Sequence, residues 1–130
     1  MKRMSWFGLS VLFLVLMFTL YSSFFGNPIT KYQVVHATKE YLHKKGYDQK
    51  DIHSIKSDYH FKRNSKHISG VVSYVVFKDE PTIQYTFVQW KKTKEIQQHC
   101  TYHDLNRKSD EWNHSEQLMN FDSNCTERDG

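Results

Sequence analysis

The pattern of apolar and polar positions divides the chain into regimes with different periods. From Trp6 to Phe25 no charged residue, Asn, Gln, His or Pro interrupts the run. As an α-helix these residues span about 30 Å, the hydrocarbon thickness of a bilayer. Being apolar on every face, such a helix has no wet side to offer a soluble domain. Gly26-Asn27-Pro28 ends the run, because Pro cannot continue the helix and Gly-Asn tolerates a turn. Over roughly 31–45 the spacing predicts a second helix, with Thr30 as N-cap and Val34, Val35, Thr38, Tyr41 and Leu42 on its apolar side. Lys44 and Lys45 suit its negative end, and Gly46 fits the position just past the cap.

After Gly46 the period falls to two. Ile55, Ser57, Tyr59 and Phe61 alternate with Lys56, Asp58, His60 and Lys62, which predicts a half-buried strand. Asn64-Ser65-Lys66 marks a loop, and Gly70–Phe77, apolar on both faces, reads as a central strand. Lys78-Asp79-Glu80-Pro81 turns the chain into a third strand over Thr82–Trp90, Lys91–Lys94 turns it again, and Ile96–Tyr102 forms a fourth. The predicted class is α+β: an N-terminal transmembrane helix, then one helix packed on a four-stranded antiparallel meander. The odd-numbered apolar side chains of the first and third strands are expected to meet Val35, Tyr41 and Leu42. The organisation that follows is a basic flank at 1–5, a transmembrane signal anchor at 6–25, a short linker at 26–30, the domain at 31–102 and an acidic tail at 103–130. Two readings of the tail stay open: a short helix around 110–120 with Trp112 docked on the domain, or disorder.

Charge adds a direction. Lys2 and Arg3 precede the apolar run, which favours a cytoplasmic N-terminus and places the domain outside, although lysines also follow the run. Small residues at both −1 and −3 are not met for cuts after Ser22, Ser23 or Gly26, because Leu20, Tyr21 and Phe24 fall at −3. An uncleaved anchor is therefore expected over a removed signal peptide. Residues 31–102 carry 13 basic and 7 acidic groups, and residues 103–130 carry 3 and 7. Such a body is drawn weakly toward anionic lipid or wall polymer, although a solvated surface of mixed sign has the same composition. No dense basic stripe of the kind that marks a nucleic-acid binder is present.

The stretch from Tyr41 to Tyr85 contains Lys45-Gly46-Tyr47, Asp51-Ile52, Ile55 and Val75-Val-Phe-Lys-Asp-Glu-Pro81. With the hydrophobic N-terminal segment, it resembles an uncharacterised family of small membrane-anchored proteins from Bacillus and related Gram-positive bacteria. The resemblance covers about a third of the chain. It implies a bacterial cell-envelope protein of unknown function and carries over no catalytic residues.

Candidate chemistry is sparse. His99-Cys100-Thr101-Tyr102-His103 brings metal donors close in sequence, but on a strand His99 and His103 lie about 13 Å apart and Cys100 points the other way. His36 and His43 stand two helical turns apart. No metal or other cofactor is expected. There is no G-x-S-x-G elbow, P-loop or dinucleotide fingerprint, and Asp79 and Glu80 read as solvated turn acids. The chain is expected not to be an enzyme. Outside the cell Cys100 and Cys125 can form a disulfide, while in the cytosol they stay thiols. Tyr74, Val76, Val88 and Trp90 fall on the sheet face away from the helix. They form either an interaction patch or a surface covered by the tail through Trp112 or Phe121. The expected function is a non-enzymatic interaction module, held to the lipid bilayer by residues 6–25 and engaging an envelope protein or cell-wall polymer. The alternative is a secreted inhibitor or toxin-like factor released by signal-peptide cleavage.

Overall fold

A computed structural model describes residues 2–107, 113–114 and 118–127 of the chain. The first helix, α1, runs Lys2–Phe25. Its span Trp6–Phe25 is long and apolar enough to cross a membrane, and none of it is buried against the other described residues. A secretory signal sequence meets the same criteria of length and composition.

The second helix, α2, covers Pro28–Lys44, so only Gly26 and Asn27 separate the two helices. The N-cap is Asn27, whose Oδ1 accepts from the Ile29 N–H at 2.9 Å, and Pro28 takes the first helical position. The expected Thr30 cap is corrected by this pair. Asn satisfies an orphan N–H, and Pro, lacking one, leaves nothing to satisfy. Thr30 thus lies inside the first turn. At the other end Gly46, with φ +97°, sits just past the Lys45 cap as its sequence position predicts. The N–H groups of Gly46 and Tyr47 reach back to the His43 and Leu42 carbonyls at 3.1 and 3.0 Å, a Schellman closure.

Four long strands follow: β1 (Ile52–Tyr59), β2 (Val71–Phe77), β3 (Ile83–Gln89) and β4 (Ile96–Asp104). They form an antiparallel meander in chain order, and a two-residue strand, β5 (Asn113–His114), joins the outer edge of β4. The short tail helix expected around 110–120 falls mostly outside the described residues, which show β5 and a turn at 119–120. Trp112 lies outside the described residues. β1 ends two residues before Phe61, which is 79% exposed in a 3-10 turn (Phe61–Arg63) instead of facing inward.

The helix α2 buries Val34, Thr38 and Leu42, a stripe at i, i+4 and i+8. Val34 replaces the expected Val35 as the inward valine; Val35 is only half-buried. This stripe packs on Val71, Val75, Phe77, Tyr85 and Phe87, with Ile55 and Tyr59 at the margin. Full burial of a side chain such as Leu42 contributes about 2 kcal/mol. One polar link crosses this core: the Thr38 and Ser73 hydroxyls lie 2.6 Å apart, both fully buried.

Candidate functional site

Three places were worth following from the sequence: the cysteines and histidines, the far sheet face, and the acids of the β2–β3 turn. Cys100 and Cys125 are joined in a disulfide, with their Cα atoms 4.9 Å apart. The reason they meet lies in β4. Tyr85 and Phe87 oppose Tyr102 and Gln98, so β4 carries extra residues around His99–Thr101. That bulge turns backbone groups outward. The Cys100 N–H donates to the Thr126 carbonyl, and the Thr126 N–H donates to the Gln98 carbonyl, each at 2.9 Å.

The segment 118–127 is held from the other side by Glu80. Its Oε2 accepts from the Tyr85 hydroxyl at 2.5 Å, from Asn120 Nδ2 at 2.8 Å and from the Asn120 N–H at 3.3 Å. Its Oε1 accepts from the Met119 N–H at 3.0 Å. Glu80 is therefore a hub and not the solvated turn acid that composition suggests. Burial pushes its carboxyl up, but the bonds from Tyr85, Met119 and Asn120 outweigh that and hold it below the ordinary carboxylate value. The Tyr85 hydroxyl is driven far above its usual range, first by burial and then by the Glu80 charge it donates to. A second clasp sits nearby. Asp122 accepts from the Tyr41 hydroxyl at 3.0 Å and pairs with Lys45 at 3.3 Å. Its carboxyl is lowered chiefly by the Asn124 N–H, with Lys45 and Tyr41 adding to it against the effect of burial.

On the far sheet face the four residues of the candidate patch differ in exposure: Tyr74 and Trp90 are half-buried. Val76 and Val88 are buried, at 5% and 1% exposure. Ile68, from the β1–β2 connection, folds over this face and forms a small core with Val72 and Val88, edged by Tyr74 and Trp90. The polar ends of the two aromatics are engaged: Tyr74 shares a 2.5 Å hydrogen bond with His60 Nε2, and Trp90 Nε1 donates to Gln97 at 2.9 Å. Of the two tail residues considered as cover, Phe121 packs with the helix-side core, and Trp112 lies outside the described residues.

The histidines do not converge on a metal geometry. Among the described residues no three His, Cys, Asp or Glu side chains are grouped as an ion requires. His99 lies buried in β4 with its Nδ1 2.7 Å from the Thr101 hydroxyl, and Cys100 is committed to its disulfide.

Among the described residues a groove of about 800 Å³ lies open between α2 and β1, and a second of about 620 Å³ lies between α2, the β3–β4 turn and Asp122. His36, Lys39, Glu40 and His43 line the first from the helix, and Tyr47, His53 and Ile55 line it from below. β1 is the first strand of the sheet and pairs only with β2. On the other side β4 is covered in part by β5 and the Thr126 bridge. β1 is thus the sheet edge that faces an open groove. Its outward N–H and C=O groups suit an extended chain, and the lysine and imidazole side chains suit acidic groups on it. Sequence reasoning missed this groove because Ile52–Ser54 and residues 36–44 approach only in the folded domain.

A family model described as "Protein of unknown function (DUF3139)" matches residues 5–87. No curated protein and no solved structure matches the chain.

Proposed function

The chain belongs to the DUF3139 family of proteins of unknown function, and we propose that it is a single-pass membrane protein of a Gram-positive cell envelope. Its small extracytoplasmic domain works as a non-enzymatic interaction module, held to the bilayer by residues 6–25 with the N-terminus in the cytoplasm. The observation that carries the reading is α1: its large apolar side chains from Trp6 to Phe25 are all about half exposed or more and find no protein surface to cover them. The groove along β1 supports the second half of the reading, because it offers an edge strand and mixed polar groups. The partner class is an extended acidic segment of an envelope protein; a wall polymer is the alternative ligand.

Fractionation of cells carrying an epitope at the C-terminus tests the anchor. Full-length protein in the membrane fraction, whose C-terminal epitope external protease removes from intact protoplasts without lysis, is the expected result. Mature protein in the medium that starts after Ser22 or nearby overturns it in favour of a secreted factor. Photo-crosslinking from β1 in native membranes then tests the module, and recovery of no reproducible adduct counts against it.

A further inference from the structure

The antiparallel meander sorts the loops of the domain into two ends, and one of them belongs to the exit of α1. Gly26 is buried there with φ +76°, so close to Tyr59 that a Cβ would lie 2.8 Å from the Tyr59 Cβ. Tyr59 is the last residue of β1. The β1–β2 connection (60–70) and the β3–β4 connection (90–95) therefore emerge at the α1 end. They are knitted together: the Lys91 N–H donates to the His67 carbonyl at 2.8 Å, the Ser69 N–H to the Gln89 carbonyl at 2.9 Å, and Lys91 Nζ to Asn64 at 2.7 Å.

Two properties set this end apart from the opposite one, where Leu105 and Met119 are the exposed large apolar side chains. The first is apolar exposure. Among the described residues outside α1 the exposed large hydrophobic side chains are Ile29, Tyr32, Phe61, Leu105 and Met119, and the first three stand beside the elbow. Ile29 and Tyr32 occupy the opening of α2, within about 6 Å of its start. Phe61 follows Tyr59 by two residues, at most about 7 Å along the chain. An ion pair of 3.6 Å between Lys31 and Asp58 ties the opening of α2 to the end of β1. Exposures of 62%, 72% and 79% for Ile29, Tyr32 and Phe61 are high for residues that a soluble surface gains nothing by presenting.

The second property is charge. The two connections hold Lys62, Arg63, Lys66, Lys91, Lys92 and Lys94 against one acid, Glu95. Lys62, Lys66, Lys92 and Lys94 are exposed. The turns at the far end, 48–51, 78–82 and 104–107, together hold five acids and three bases, with Lys44 and Lys45 of the α2 exit beside them. Aromatic and aliphatic side chains ringed by lysines, next to an apolar helix, match the two layers of a bilayer interface: acyl boundary and anionic headgroup.

We propose that this rim seats the domain on the membrane: Ile29, Tyr32 and Phe61 enter the interface around α1, and the lysines of the 60–70 and 90–95 connections contact anionic phospholipid headgroups. The inference rests on the reading of α1 as a bilayer span. Its consequence is that the domain is not free above the surface but holds one orientation, with the acidic turns pointing away.

The test uses the full chain reconstituted in phosphatidylcholine vesicles with and without phosphatidylglycerol, and with acyl chains brominated near the headgroup as quencher. Phe61→Trp adds a reporter at an exposed position, read as the difference from wild type. The difference between wild type and Trp6→Phe reports α1 itself. The expected result is about a twofold loss of the Phe61→Trp signal in brominated anionic vesicles. The loss is smaller in zwitterionic vesicles and in a variant that also carries Lys62→Gln, Lys66→Gln and Lys92→Gln. Quenching of the Trp6 signal with none at position 61 overturns the rim and leaves the span standing. Quenching of neither overturns both. Quenching at 61 that ignores lipid charge and the lysine changes overturns the headgroup contact. A spectral shift at 61 that follows protein density in the vesicle instead of lipid type assigns the rim to contact between copies and overturns the proposal.

Discussion

Replacing Glu80 with Gln removes a charge from the point where residues 118–127 are held to the sheet. In the native domain Oε2 takes three donors and Oε1 takes one. The Gln amide can keep its carbonyl on the three-donor side, which turns charge-assisted bonds into neutral ones at a loss of about 1 kcal/mol each. Its NH₂ then faces the Met119 N–H, donor against donor. Met119 is 68% exposed, so water replaces that bond at little cost. Water reaches part of the half-buried Glu80 site too, and the net loss is about 2 kcal/mol. For a domain of this size that lowers the midpoint of thermal unfolding by about 8–16 °C. The sign with pH follows from the lowered carboxyl. Its stabilisation is fully present above the ordinary value of 4.5 and is lost as pH falls through the lower folded value. Wild type and Glu80→Gln should therefore differ at pH 7 and converge in acid. Urea unfolding of the full chain in detergent, followed by near-ultraviolet circular dichroism from pH 7 to pH 3, measures the gap. Hydrogen exchange at the Met119 and Asn120 amides locates it. A variant within about 0.5 kcal/mol of wild type at pH 7 refutes the role of hub. So does a gap that persists unchanged in acid.

The other fastening is the disulfide: with a sequence separation of 25 residues, its loss through Cys100→Ser and Cys125→Ser should cost about 3.5 kcal/mol by loop-closure entropy, read as a lower urea midpoint that dithiothreitol reproduces in wild type. Gly26→Ala should destabilise the domain by about 2–4 kcal/mol, since it adds a left-handed penalty to the contact with Tyr59; thermal unfolding checks this, and a neutral outcome means the elbow is loose. Thr38→Val should cost about 1–3 kcal/mol by stranding the buried Ser73 hydroxyl, and adding Ser73→Ala should recover part of it in a double-mutant cycle.

The parts of this fold that were legible in the sequence are those that local chemistry decides. Alternation marked the four strands because one face or both had to be buried, and Gly46 marked the helix exit because only its left-handed backbone closes the Schellman turn there. The misreadings have equally local causes. Phe61 continues the alternation of β1 by coincidence, while the chain has already turned at His60, whose N–H donates to the Gly70 carbonyl at 2.8 Å. Thr30 is a good cap in isolation, but Asn27 followed by Pro28 is a better one. The remaining features depend on partners far away in sequence. Glu80 is a hub only because residues 119–120 arrive at it, and Val88 is buried only because Ile68 folds over it. Neither residue carries a sign of that in its neighbours. The α2–β1 groove was unreadable for the same reason.

The two-residue elbow sets a search problem for whatever the domain meets. Gly26 and Asn27 extend at most about 7 Å, and the eight residues of β1 cover about 27 Å. With α1 in the bilayer, every ligand of the groove is caught within a layer about 35 Å deep. A partner diffusing in the same membrane is already confined to that layer, so its effective concentration there is raised without any added contact. A soluble partner gains nothing of the kind. The shortness of the elbow therefore selects for encounters in two dimensions, between neighbours that share the membrane.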